Sequence, residues 1–132
     1  MKLNIVVKKT LNPGQKANVS AIIAGQFGRD VPALYTDAII DSTGTQHAGI
    51  SVNIVILDGN SDQLLRLIEE ALKSNVVCIA FSTTGQMLSN NYTEYHQKIS
   101  SSKTENTEII GVGIYGDDEA VKLLTKKFSL TK

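Results

Sequence analysis

Hydrophobic and polar positions follow two different periods along the chain. Unbroken or alternating runs of apolar, mostly β-branched residues predict four main strands. DAIID (37–41) and TQHAGI (45–50) flank a short turn that contains Gly44, which predicts a β-hairpin between the first helix and the next main strand. VVCIAF is apolar throughout, so we expect a strand that is covered on both faces. The four main runs are LNIVVKK (3–9), SVNIVILDG (51–59), VVCIAF (76–81) and IIGVGIYG (109–116).

Helical spacing of the apolar positions fills the segments between these runs. Residues 13–28 follow the capping residue Asn12, and residues 61–75 follow the capping residue Asn60. Residues 117–128 carry acids in the first turn and lysines in the last, as the helix dipole favours. Short helices are predicted near 85–88 and 93–99, before a polar loop. Because strands and helices alternate, the chain is predicted to be one α/β domain over residues 1–132, with a mixed β-sheet and helices on both faces.

Composition and charge narrow the classes of function. The chain of 132 residues has a formal net charge of zero, which argues against a dedicated nucleic-acid binder. The charge is uneven, because residues 1–29 contain five bases and no acid: Lys2, Lys8, Lys9, Lys16 and Arg29. This basic end could contact phosphate, although solvated surface lysines are the simpler interpretation. No apolar stretch is long enough for a membrane span and no secretory segment is present, so we expect a cytoplasmic protein without a membrane partner.

The turn that opens the first predicted helix is the most informative place in the sequence. A helix N-terminus presents unpaired N–H groups and the positive end of the helix dipole. Lys16 adds a cation there, where the dipole disfavours one, and Asn18 could present its amide nearby. A bound anion or carbonyl group would explain this placement, and an exposed, tolerated lysine is the alternative. We therefore expect a small anionic ligand at this end.

Other candidate chemistry is weaker. His47 in the hairpin could pair with Asp41 as a general base, but a surface ion pair is the more common arrangement. His96 lies in a polar helix, far along the chain from His47, so no metal-ligand spacing exists. Cys78 is the sole cysteine and lies within VVCIAF, so it is interpreted as a core residue. No metal ion and no cofactor are expected.

The order of several motifs resembles the type II peptidyl-tRNA hydrolase superfamily over nearly the whole chain. The segments that carry the resemblance are PGQKANVSAI, VILDGNSDQLLRLIEEALKSNV and GVGIYGDDEAVKLLTKKFSL. Within that superfamily the chain is more similar still to a small bacterial family of unknown function. The details shared with that family are Pro13-Gly14, Ala17-Asn18, His47-Ala48-Gly49, Tyr92 to Tyr95, Tyr115-Gly116 and Ala120 to Lys122. The resemblance implies the type II peptidyl-tRNA hydrolase-like fold.

The resemblance extends to only some of the residues that characterise the active hydrolases. Those enzymes have a lysine in the first helix, a glutamine one turn further on, and an acid–Ala–Gly–Arg–Thr segment after a later strand. Lys16 matches the lysine, but Ser20 replaces the glutamine. With Gly85 on the motif glycine, Thr83 replaces the acid, and Gln86 and Met87 replace the arginine and threonine. An acid that would orient water is absent, so hydrolase activity is not expected.

Three hypotheses follow for the function. The first is a ligand-binding domain whose cleft lies between the start of the first helix and the segment after VVCIAF. Its lining residues would be Asn12, Gly14, Lys16, Asn18, Thr83 and Thr84. The second is a hydrolase of peptidyl-tRNA with altered catalytic groups, for which Lys16, His47 and Thr83 are the weak candidates. The third is an assembly subunit that forms a homodimer.

Overall fold

The computed structural model describes residues 1–132 and contains seven strands and five α-helices. The strands are β1 (Lys2–Lys8), β2 (Ile39–Ile40), β3 (Gln46–His47), β4 (Ile54–Gly59), β5 (Val77–Ser82), β6 (Ile109–Gly116) and β7 (Ser129–Leu130). The α-helices are α1 (Pro13–Asp30), α2 (Ser61–Leu72), α3 (Thr83–Met87), α4 (Tyr92–Ser100) and α5 (Asp118–Thr125). Short 3-10 helices at Pro32–Leu34 and Thr104–Asn106 complete the chain. None of the helices is long and apolar enough to span a bilayer.

Five strands form one mixed sheet in the order β5-β6-β1-β4-β7. β1 lies at its centre, parallel to β4 and antiparallel to β6, while β5 and β7 are antiparallel to their single neighbours. The predicted hairpin forms a separate two-stranded sheet of β2 and β3. The prediction of a single α/β domain with a mixed sheet is therefore confirmed, and the sequence pattern missed the short strand β7.

Helices cover both faces of this sheet, as predicted. On one face, α1 contributes Val19, Ile23 and Phe27 to a core cluster with side chains of β1. On the other face, α2 and α5 pack on a second cluster. The apolar positions of β1 alternate between the two clusters, because successive side chains of a strand point to opposite faces. The members of β1 in the α1 cluster are Leu3, Ile5 and Val7, and Val6 belongs to the other cluster.

Two glycines in β6 let α1 lie close to the sheet. A Cβ atom at Gly111 would come within 2.5 Å of Val19, and one at Gly113 within 2.4 Å of Phe27. Real Cβ atoms do not approach other atoms so closely, so side chains at these two positions would push α1 off the sheet. The Gly-Val-Gly sequence of β6 is thus explained by helix–sheet packing.

The expected burial of VVCIAF on both faces is wrong. β5 is an edge strand, and Val77 and Ala80 are exposed. The fully buried strand is β6, all of whose residues are buried between β5 and β1. Packing within the sheet therefore explains only some of the apolar residues of β5. Cys78 was predicted to be a buried core residue, but it is only half-buried.

Candidate functional site

The parallel strands β1 and β4 end side by side, and each leads directly into a helix. Both helices begin with the same Asn-x-x-Gln capping box. The N–H of Gln15 donates to Asn12 Oδ1 at 2.8 Å, and the N–H of Asn12 donates to Gln15 Oε1 at 3.0 Å. Asn60 and Gln63 repeat this exchange at 2.9 Å in both directions. Each box satisfies two donors and fixes the entry of its helix.

Lys16 is buried in the first turn of α1 and is not available as a free cation. Its ammonium lies 3.0 Å from Asp58 Oδ2, and the two side chains are only 10% and 14% exposed. Lys16 Nζ also donates to the backbone oxygen of Lys132 at 3.4 Å. The lysine that the helix dipole disfavours is thus stabilised by an acid from the end of β4.

Asp58 is held by three donors, which together keep it ionised. Burial by itself would raise the pKa of this carboxyl group. Hydrogen bonds from the Thr131 hydroxyl, the Lys16 ammonium and the Lys132 N–H, with the charge of Lys16, lower the pKa below its ordinary value. Asp58 therefore ties α1, β4 and the segment after β7 together.

A cationic cavity of about 350 Å³ opens next to Asp58, at the start of α2. Lys9 and Lys127 line it from the end of β1 and from the segment between α5 and β7. The lysines that form ion pairs in the protein are Lys8, Lys16 and Lys98, so these two cations have no acidic partner. The full lining consists of Lys9, Asp58, Gly59, Asn60, Gln63, Lys127, Ser129, Leu130 and Lys132.

The cleft between Lys16 and the segment after β5 stays a prediction, and the structure places its residues around two different strand ends. Strand β6 separates β5 from β1, which places Thr83 about 10 Å, two strand spacings, from the end of β1. Lys16 points instead toward β4, in a second cavity of about 350 Å³ that is lined by α1, Ile56, Thr131 and Lys132. Thr83 donates its N–H to the backbone oxygen of Glu108 at 3.0 Å and opens α3.

The other predicted site residues have simple structural surroundings. Asn12 acts as the N-cap of α1, and the exposed Gly14 has ordinary space around it. Asn18 is exposed on α1, and Thr84 accepts the N–H of Leu88 at 3.0 Å within α3. No group of His, Cys, Asp and Glu side chains could hold a metal ion.

The His47–Asp41 pair predicted for the hairpin is present. His47 Nε2 lies 2.8 Å from Asp41 Oδ2, and both side chains are exposed. Asp41 also accepts hydrogen bonds from Thr43 and from the N–H of Thr45 within the turn. The bond to His47, followed by these bonds, lowers the pKa of Asp41 far below its ordinary value. The pair therefore fixes the turn of the hairpin, and no polar group beyond Asp41 orients the imidazole.

The sequence pattern did not indicate that Asp58, Lys127 and Thr131 would lie together with Lys16 and Lys9. One signal for Asp58 was present, since it ends an apolar strand and directly precedes Gly59 and the capping Asn60. The rule that sites lie at the carboxyl ends of parallel strands applies to β4 as well as to β1. Lys127 and Thr131 gave no such signal, because Lys127 was predicted to lie in the last turn of the helix over 117–128 and Thr131 follows the unpredicted strand β7.

The order of strands, with two parallel strands that each lead into a capped helix, defines a single mixed α/β domain. The chain belongs to the family described as protein of unknown function (DUF2000), whose sequence profile matches residues 1–132. No curated protein matches the sequence. The solved structure of the protein of unknown function Atu0240 from Agrobacterium tumefaciens strain C58 is similar, with a TM-score of 0.86 at 17% identity. The match covers 99% of this chain and 97% of that chain, so the two proteins share their fold.

Proposed function

We propose that this protein is a non-hydrolytic domain with a type II peptidyl-tRNA hydrolase-like fold that binds a small anionic molecule at the start of α2. The observation that supports this proposal is the convergence of Lys9 and Lys127 on one cavity without acidic partners. Asp58, the only acidic side chain in the lining, accepts hydrogen bonds from Lys16 and Thr131. An anion in the cavity would therefore meet three lysine side chains without acidic partners, since Lys132 also lines the cavity.

The backbone at the start of α2 adds to the attraction for an anion. The capping box uses the N–H of Gln63 and leaves the N–H groups of Ser61 and Asp62 without an intrahelical partner. Such groups, with the positive end of the helix dipole, bind phosphate and carboxylate groups. The exposed side chain of Asp62 does not line the cavity. The proposed site thus lies one strand away from the helix start that the sequence favoured.

A titration with inorganic phosphate at low salt tests the site, because salt screens a weak electrostatic site. We expect amide chemical-shift changes to cluster at Lys9, at residues 60–63 and at Lys127. Lys127→Gln should weaken the affinity severalfold. Lys73→Gln, at the opposite end of α2, is the matched control and should leave the affinity unchanged. Shifts that are spread over all lysines, or equal effects of the two variants, would contradict the proposal.

The proposal excludes hydrolysis of peptidyl-tRNA. The aligned segment after β5 supplies Thr83 in place of an acid, and Met87 is 80% exposed in place of a threonine. Asp58, the acid that does approach Lys16, is already bound by three donors, so it is poorly placed to take a proton from water. Purified protein should release no product from an N-blocked aminoacyl-tRNA above background. Turnover that is lost in Lys16→Met would reverse this conclusion.

A further inference from the structure

A third cavity, of about 290 Å³, lies beside the edge strand β5, on the sheet face that carries α2. Cys78, Ala80 and Ser82 form its floor, since alternate residues of a strand share one face. Side chains of α2, β6 and α4 form its walls, and the segment after α4 closes one side. Ile68 and Leu72 belong to α2, Ile109 to β6, and Tyr95 and Ile99 to α4. The segment after α4 contributes Ser102, Thr104 and Thr107.

The packing of α4 leaves this cavity unfilled. α4 has no buried residue, although Tyr95 and Ile99 face the cavity. Leu72 remains 74% exposed at the wall. Water in such a cavity would have few hydrogen-bonding partners along its aliphatic walls. An apolar molecule would release that water and contact side chains that now lack neighbours.

Two hydroxyl groups at the α3 end of the cavity have unused hydrogen-bonding capacity. Ser82 is 3% exposed and accepts the N–H of Gly85 at 3.4 Å, which leaves its own O–H free to donate. Tyr95 is half-buried, its hydroxyl forms no hydrogen bond within the protein, and burial raises its pKa. Gly85 lies next to the Tyr95 hydroxyl, and a Cβ at this position would come within 2.8 Å of the Tyr95 oxygen.

The lining carries no charged side chain, which favours a neutral ligand over an ion. An ion would lose its hydration without gaining a partner, and that loss is costly. A carbonyl or ester oxygen could accept hydrogen bonds from Ser82 and Tyr95 while an apolar body fills the space between α2 and α4. The volume of about 290 Å³ lies just below the range of about 300–1,000 Å³ that is typical of ligand pockets, which suits only a small molecule.

We propose that this cavity binds a small neutral molecule with an apolar body and a carbonyl or ester oxygen, independently of the anion site. Acetophenone is a suitable probe, with ethylbenzene as the analogue without the oxygen and benzoate as the charged analogue. Titration of the protein, followed through the methyl groups of Ile68, Ile99 and Ile109, should show binding of acetophenone. Ethylbenzene should bind several times more weakly, and benzoate should not bind.

Variants on one helix separate the hydroxyl from general effects on α4. Tyr95→Phe should weaken acetophenone binding about fivefold, the value of roughly one hydrogen bond, without affecting ethylbenzene. Tyr92→Phe is the matched control, since Tyr92 is 74% exposed outside the cavity. Ala80→Phe should block all probes by filling the floor. Absence of binding at millimolar acetophenone, equal binding of benzoate, or binding that survives Ala80→Phe would each overturn the proposal. Shifts of these methyl signals that depend on protein concentration, in the absence of a probe, would also overturn the proposal. They would mean that a second copy of the chain occupies the cavity.

Discussion

The starts of α1 and α2 have the same capping box, but the lysines near them differ: one is buried in an ion pair and the others face an open cavity. Each follows a parallel strand and each closes with an Asn-x-x-Gln box. At α1 the nearby cation, Lys16, is buried against Asp58 and covered by the segment after β7. At α2 the nearby cations, Lys9 and Lys127, face an open cavity. A capped helix start therefore becomes a structural joint or borders an open cavity, according to the charges that the neighbouring segments supply.

The variant with the largest expected effect on this contrast is Asp58→Asn. The change leaves the Lys16 ammonium buried without a counter-charge, so we expect a loss of about 3 kcal/mol in the free energy of unfolding. The double variant Lys16→Met, Asp58→Asn should recover most of that loss, because no uncompensated charge remains. Urea denaturation of the three proteins measures both effects. If Asp58→Asn alone is neutral, the pair is not the joint described above.

The caps themselves should contribute equally. Asn12→Ala and Asn60→Ala each remove the acceptor for one backbone N–H, and each should cost about 1 kcal/mol in the free energy of unfolding. Asn18→Ala, at an exposed position of α1, is the control and should cause no loss. Thermal denaturation is sufficient for this comparison. A clearly larger loss at one cap would show that the two helix starts differ in more than their charges.

The smallest expected effect is on the pH dependence of the free energy of unfolding. Because the pKa of Asp58 lies below its ordinary value of 3.8 in the folded protein, its ionisation stabilises the fold above that pH. The stability is lost as the pH falls through the lowered pKa. The difference in unfolding free energy between wild type and Asp58→Asn should therefore shrink below about pH 4. Asp41 and Asp118, whose pKa values are also lowered, are present in both proteins and cancel. A difference that stays constant down to pH 2 would contradict the assignment.

Local sequence patterns predicted the positions of helices and strands along the chain better than they predicted which elements lie next to each other in the fold. Caps and apolar periodicity placed α1, α2 and α5, since both signals are local. The edge position of β5 was not predictable from its own residues, because its apolar run resembles that of a central strand and the order of strands depends on the rest of the chain. Asp58 and Lys16 are 42 residues apart, and only the parallel pairing of β1 with β4 brings them together. The cationic cavity likewise depends on the antiparallel return of β7, which is two residues long.

The place of β6 between β5 and β1 has a consequence for how the chain is made. β5 forms backbone hydrogen bonds with no strand except β6, which comes later in the chain. While the ribosome synthesises the residues before β6, β1 and β4 can pair, but β5 has no strand partner. The sheet closes only when the last quarter of the chain is available, so its assembly depends on contacts that are distant in sequence and is expected to be slow. The apolar edge of β5 is the segment left uncovered during that interval.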